Sequence, residues 1–313
     1  MSETTTEHSR REAWLMAARP HTLPAAAAPV IVGTGLAVHE GLFAPLPALA
    51  AFVGAALIQI GTNLANDYYD AVKGVDTDDR EGFTRVTQSG LIAPKSVKRA
   101  TYATFALAIL VGVYLVYVGG LPILVIGLAS VISGFAYAGG PYPLGSHGLG
   151  DLFVFVFFGV VAVMGTFYVQ AASVLSAPFP TGIPEGTVTL AALVASLPVA
   201  AISTNILVVN NVRDLETDRE AGKKTLAVLI GYRASRAEFV GLLALAYAVP
   251  FWFWLEAGFS LAVLLPLVTV PYAASIARTV LTDSSGDALN PALERTGKLL
   301  AGYSALFALG LIA

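Results

Sequence analysis

The sequence predicts an all-α, polytopic membrane protein of about nine transmembrane helices, which an internal repeat arranges as a bundle around a central cavity, and three observations predict the helices. Of its 313 residues 56% are hydrophobic and 12% are charged, against a charged fraction of roughly 25% in soluble globular domains. Apolar windows of roughly twenty residues, enough for a helix to cross a hydrocarbon core of about 30 Å, recur along the whole chain. Every lysine and arginine falls on one side of the topology that those windows generate.

The windows lie at 22–38, 46–66, 97–118, 121–138, 150–174, 188–211, 237–256, 259–280 and 297–313. Pro24 and Pro29 fall in the first, Pro198 in the sixth and Pro250 in the seventh. Membrane helices accept proline where neighbours satisfy the freed carbonyls, so kinks are expected there. Residues 1–18, polar and mixed in charge, read as a solvated cytoplasmic tail and lack the pattern of a secretory signal. The whole of 1–313 reads as one membrane domain.

With the amino terminus in the cytoplasm, all 18 cationic residues fall in cytoplasmic segments, from Arg10 to Arg19, from Lys73 to Arg99, from Arg213 to Arg236 and from Arg278 to Lys298. The outward segments around 39–45, 119–120, 175–187 and 257–258 hold none. Such asymmetry is the positive-inside pattern, and it places a multi-pass protein in the cell membrane with its amino terminus cytoplasmic.

Several function classes drop out. A net charge of −3 with scattered cations offers no basic surface for nucleic acid. The absence of cysteine excludes disulfides, thiolate nucleophiles and cysteine-ligated metals. His8, His21, His39 and His147 have no partners at metal-ligand spacing, and no G-x-S-x-G elbow is present. Gly222-Lys223-Lys224-Thr225 is similar to the end of a nucleotide P-loop, but Thr217 and Lys224 stand where that motif needs glycine and a hydroxyl residue.

What remains is two polar clusters at the ends of apolar stretches, Asn66-Asp67-Tyr68-Tyr69-Asp70 and Asn210-Asn211-Val212-Arg213-Asp214-Leu215-Glu216-Thr217-Asp218. Both come to the cytoplasmic ends of outward-to-inward helices, the second and the sixth. The spacing of Asn66 and Asp70 repeats in Asn210 and Asp214, each pair preceded by a Thr-Asn step, Thr62-Asn63 or Thr204-Asn205. Four-residue steps put Asn210, Asp214 and Asp218 on one helical face, and Asn66 and Asp70 likewise, with Asn63 one turn earlier and Asp67 about 100° around. Oxygen-only donors suit a hard cation such as Mg²⁺, which takes one or two carboxylates and completes its shell with water and phosphate. The implied partner is a phosphorylated ligand. Arg85, Lys95, Arg213, Arg219, Lys223 and Lys224 in the adjoining loops are candidates to screen its oxygens. Among the aromatic residues nearby, Tyr137 and Tyr142 included, a subset around a dry cavity can stabilise a carbocation through their π faces.

These clusters resemble those of the UbiA superfamily, intramembrane aromatic prenyltransferases with nine helices and two Asp-rich motifs. Within it the chain is similar to the branch that prenylates 1,4-dihydroxy-2-naphthoate. That similarity rests on Arg19-Pro20-His21-Thr22-Leu23-Pro24, on Asn66-Asp67-Tyr68-Tyr69-Asp70 with Gly74-Val75-Asp76, and on Arg85-Val86-Thr87-Gln88-Ser89-Gly90-Leu91. It also rests on Gly148-Leu149-Gly150-Asp151 and on Asn211-Val212-Arg213-Asp214 continuing to Gly222-Lys223-Lys224-Thr225-Leu226-Ala227-Val228. Where the broader family often has an aspartate four residues after Asp70 this chain has Gly74, with Asp76 two residues later.

The resemblance implies Mg²⁺ held by Asn66, Asp67, Asp70, Asp76, Asn210, Asn211, Asp214 and Asp218. It implies a polyprenyl diphosphate and an aromatic acid acceptor as substrates, in contact with Asn63, Arg85, Gln88, Tyr137, Tyr142 and Lys224. Asp70, Asp214, Arg213 and Lys223 are the expected catalytic residues, with the prenyl tail lying among lipid-facing helices. The expected reaction is decarboxylating prenyl transfer in menaquinone biosynthesis. Alternative acceptors are 4-hydroxybenzoate, homogentisate and geranylgeranylglyceryl phosphate. The rival from another class is an ion-coupled transporter, although its carboxylates are expected at the bilayer midplane rather than at helix ends.

Overall fold

The computed structural model describes residues 9–73, 86–87, 89–138 and 144–313, apart from the side chains of 21, 70, 73, 134–138 and 144. Asp76, Arg85, Gln88 and Tyr142 therefore lie outside the described residues, and so do the side chains of Asp70 and Tyr137. Among the described residues there are helices and no strands.

The chain opens with α1 (Arg10–Ala18), whose start is set by a capping box. Glu12 N donates to Ser9 Oγ at 3.3 Å, and Ser9 N donates to Glu12 Oε2 at 2.8 Å. This corrects the expectation of a solvated tail for its second half. Ala13 and Ala17 are buried with Leu64, Val86, Ile92 and Val97, because α1 is amphipathic enough to lay one face on the neighbouring helix and loop. Arg19, at a φ of 51°, turns the chain through a 3₁₀ turn, Pro20–Thr22, into α2 (Leu23–His39).

Next come α3 (Pro45–Lys73) and α4 (Pro94–Ala138). After α4, α5 (Gly150–Phe153) runs through a π-helical stretch, Val154–Val161, into α6 (Ala162–Leu175). Thr189 caps α7 (Leu190–Arg213) by accepting from Ala192 N at 3.0 Å. The short α8 (Leu215–Glu220) leads to α9 (Leu226–Leu255), a 3₁₀ run, Leu261–Thr269, then α10 (Val270–Thr282) and α11 (Gly286–Ile312).

Every predicted window coincides with helix, yet among the described residues six helical runs are individually long and apolar enough to cross a membrane, and α1 with α2, bent by 57°, makes a seventh if counted as one span. The difference from nine has a physical origin. The third and fourth windows are joined in α4, which is interrupted at Gly120 (φ 70°, ψ −154°). A Cβ there would sit 1.8 Å from Pro180 O, so only glycine lets the 176–189 segment reach in and accept from Leu121 N at 3.0 Å. The last window is the apolar part of α11, which Asp287, Glu294 and Arg295 precede and Lys298 opens. Pro29, Pro198 and Pro250 lie inside α2, α7 and α9 as expected, whereas the π-helical stretch had no signal in the sequence.

Burial separates the helices by role. The apolar window of α7 is 72% buried and that of α4 only 11%, so α7 is the hub and α4 a lipid-facing edge. Small residues let helices touch at the backbone, the usual route to tight packing in lipid. A Cβ on Gly159 would fall 2.2 Å from Ala200 Cα, and one on Gly35 would fall 2.9 Å from Ala308 Cα. Among the described residues α2 and α6 each pack against both α3 and α7, the helices that carry the two polar clusters.

Candidate active site

On the α3 side the helix ends in the Asn63 to Asp70 stretch. Asn63 is 5% exposed, and its amide is spent on structure: Nδ2 donates to Ala18 O at 3.0 Å and to Thr22 Oγ1 at 2.9 Å, tying α3 to the corner between α1 and α2. Asp67, one turn on, is 2% exposed, and its Oδ2 accepts from Thr87 N at 3.1 Å and from the Thr87 hydroxyl. Asp67 thus anchors the segment that follows the acidic cluster. Asn66 lies on the exposed side of the helix, and Asp70 one turn after it in α3. Tyr68 meets Tyr69 edge to face at 5.2 Å, and Lys98 Nζ stands 5.6 Å from the Tyr68 ring centre.

The α7 side is a connected network. Arg213, its side chain 12% exposed, donates Nε to Asp214 Oδ1 at 2.7 Å and Nη2 to Asp214 Oδ2 at 2.7 Å. The same Nη2 reaches Asn210 Oδ1 at 2.8 Å, and Nη1 reaches Asn290 Oδ1 on α11 at 2.7 Å. Asn210 Nδ2 approaches Asp214 Oδ2 at 3.3 Å, which gives the expected four-residue step a direct bond. Asn211, beside Asn210, is buried in the interior at 6% exposure.

Past the end of α7 the helical ladder breaks, since Asp214 caps α7 and starts α8. Asp218 nevertheless stays buried at 7% exposure, held by Lys223 Nζ at 2.7 Å from Oδ1, while Lys223 N donates to Asp218 O at 2.9 Å. Gly222, at a φ of 73°, makes that tight return possible. Lys224 N donates to Ser146 O at 2.9 Å, which draws the 144–149 segment to the same membrane face. The Arg219–Glu216 pair at 2.5 Å is exposed on both sides and contributes little.

Electrostatics then limit what the α7 side can do alone. Asp214 is balanced by Arg213 and Asp218 by Lys223, so a diphosphate bound there brings negative charge that these pairs do not offset. Among the described residues no three acidic or imidazole groups gather into a metal cage.

Sequence reasoning missed Thr87 as the partner of Asp67 and Asn290 as the partner of Arg213. Thr87 lies within the quoted Arg85 to Leu91 stretch, so a signal for it existed. Asn290, 77 residues from Arg213, had none. Asp151 of the Gly148 to Asp151 stretch is 4% exposed, with Oδ2 buried and unpartnered among the described residues.

The chain is also similar to known proteins. The chain is 40% identical over 309 residues to a 1,4-dihydroxy-2-naphthoate octaprenyltransferase of Escherichia coli K12, covering 97% of this chain and 96% of the relative. It is 39% identical over 284 residues to the protein of the same name from Mycobacterium tuberculosis, covering 91% of each. Its fold is similar to a UbiA homolog from Archaeoglobus fulgidus bound to DMAPP and Mg²⁺, with a TM-score of 0.60 at 19% identity over 96% of this chain and 98% of that one. With the family model matching residues 26–298 as well, the chain belongs to the UbiA prenyltransferase family and is a multi-pass membrane enzyme.

Proposed function

We propose that this enzyme transfers a polyprenyl group from polyprenyl diphosphate to 1,4-dihydroxy-2-naphthoate, with Mg²⁺ dependence and loss of carbon dioxide, giving demethylmenaquinone. The observation that carries the acceptor is the near-complete match, at 40% and 39% identity, to two bacterial proteins that bear that substrate in their names. The observation that supports the diphosphate is the pairing of carboxylates with cations in the segment from Asn210 to Lys223.

In this reading Asn66, Asp70, Asn210 or Asn211, Asp214 and Asp218 hold Mg²⁺, with Asp76 as a further ligand. When bound, Mg²⁺ supplies a Lewis acid that draws charge from the diphosphate oxygens. Lys223 has three N–H donors and spends one on Asp218, which leaves two for the departing diphosphate. Lys224, Arg85 and Gln88 complete its surroundings. Asp67 and Asn63 hold the α3 end in place through their buried hydrogen bonds rather than touching ligand.

As the allylic C–O bond breaks, its electron pair leaves with the diphosphate, and the faces of Tyr137 and Tyr142 stabilise the cation. The ring carbon bearing the carboxylate supplies the pair for the new C–C bond. The pair from the bond to the carboxylate then returns to the ring, and carbon dioxide departs. Most of the rate enhancement in such a site is electrostatic and positional. Both polar clusters face the cytoplasm of the cell membrane, with the amino terminus on that side.

The test is incubation of purified protein with Mg²⁺, a prenyl diphosphate and a panel of acceptors, with products identified by mass. With the naphthoate, diphosphate and carbon dioxide are expected in equal amounts, with little reaction on 4-hydroxybenzoate. A product that keeps its carboxylate, or a preference for 4-hydroxybenzoate, overturns the acceptor assignment and leaves prenyl transfer standing.

A further inference from the structure

We infer that Asn290, on α11, is a positioning residue of the diphosphate site and acts through Arg213. The inference rests on the reading of that site given above. A guanidinium has five N–H donors in a rigid fork. In Arg213 four are engaged, by Asp214 Oδ1, Asp214 Oδ2, Asn210 Oδ1 and Asn290 Oδ1, at 2.7 to 2.8 Å. One Nη1 donor is left for a phosphate oxygen. Arg213 is therefore first an organiser of carboxylate and amide oxygens and only then a contact for the departing diphosphate.

Three of the four bonds run to α7 and its cap, so they hold the fork to its own helix. The fourth comes from a different helix, and it ties the Nη1 edge of the fork to α11. Its geometry is set from a rigid base. Arg236 of α9 donates to Val280 O at 2.9 Å and to Asp283 O at 2.8 Å, which pins the chain as it leaves α10. Asp283 Oδ1 in turn accepts from Ser284 N at 2.9 Å, Ser285 N at 3.1 Å and the Ser285 hydroxyl at 2.8 Å, which turns the chain into α11. Asn290 follows within the first turns of that helix, half-buried and directed at Arg213.

Partners that orient charged or ligating side chains typically matter about ten- to a hundredfold in metal affinity or activity. The experiment is calorimetric titration of the full-length protein in detergent with Mg²⁺ and geranyl diphosphate, without acceptor. Asn290→Ala is expected to weaken Mg²⁺-dependent diphosphate binding about tenfold or more and to raise KM for the prenyl diphosphate while KM for the acceptor stays. Asn290→Asp keeps an accepting oxygen and restores most of the binding. On an Arg213→Gln background Asn290→Ala adds no further loss, since residues acting through one group are not additive. Unchanged binding in Asn290→Ala, no recovery in Asn290→Asp, or a full additional loss in the double variant each overturns the inference. Should Asn290→Ala not fold, Asn290→Gln, which displaces the same oxygen, carries the same expectation. A parent protein that binds no diphosphate with Mg²⁺ refutes the site itself, and that outcome is distinct from all of these.

Discussion

Arg213 grips Asp214 with both edges of its fork, Nε on Oδ1 and Nη2 on Oδ2, each at 2.7 Å. A bidentate pair of this kind is among the stronger charge-assisted contacts in proteins, and it is partly shielded here, with side-chain exposures of 12% and 30%. The carboxylate proposed for Mg²⁺ and the cation proposed for diphosphate are thus bonded to each other. In the proposed site Asp214 would hold the metal ion and Arg213 would donate to phosphate, so loading it would loosen the bond between the two side chains.

That exchange predicts coupling between the two ligands. Mg²⁺ is expected to tighten prenyl diphosphate binding, and the diphosphate to tighten Mg²⁺ binding by the same factor, about five- to a hundredfold. Calorimetric titrations in both orders measure the two factors. Independent binding of Mg²⁺ and diphosphate would break the exchange picture, and turnover that survives chelation would remove Mg²⁺ from the reaction.

Asp70→Ala and Asp214→Ala are each expected to lower prenyl transfer by at least about a hundredfold, the scale for losing one electrostatic contact to developing charge. Both are carboxylates rather than apolar packing residues, and the Asp214 side chain is 30% exposed, so membrane insertion and yield should persist. Turnover at equal protein amounts and saturating Mg²⁺ checks this, and near-normal rates in both variants would exclude a two-sided site.

Thr87→Val tests the anchor on Asp67. It removes the hydroxyl donor from a carboxylate that is 2% exposed and leaves the bond from Thr87 N. The expected cost is about 1–3 kcal/mol of stability, visible as a lower thermal midpoint in detergent, with Thr87→Ser close to the parent. An unchanged midpoint for Thr87→Val would mean that this buried contact does not hold the segment.

Sidedness is checked in this cysteine-free chain by single cysteines at three exposed positions, Ser89, Glu220 and Glu185. An impermeant thiol reagent on intact cells should label Glu185→Cys alone, and all three should label in opened membranes. Labelling of Ser89→Cys but not Glu220→Cys on intact cells would put the two polar clusters on different faces.

Much of this protein was legible because a bilayer reduces the problem to local quantities. Hydropathy over a window locates the helices, and the predicted windows fall on helical runs. The polar clusters stood out for the same reason, since Asp70 and Asp214 end stretches that are otherwise apolar. The four-residue step from Asn210 to Asp214 also proved to be a real contact, because backbone periodicity alone sets it.

Tertiary structure decided what those polar residues do. Asn63 and Asp67 share a helical stretch with Asn66 and Asp70, yet they point into protein, toward Ala18 and Thr22 in one case and Thr87 in the other. The α1 segment reads as polar tail until its alanines meet Leu64 and Val97. Gly120 looks like a loop residue until Pro180 fills its missing side chain. The bond from Arg213 to Asn290 spans 77 positions and leaves no periodic trace in either helix. In each case the sequence set the chemistry a residue can offer, and the choice of partner came from helix packing. A hydrogen bond needs its atoms within about 3 Å, a condition that close contact between distant segments creates and local composition does not.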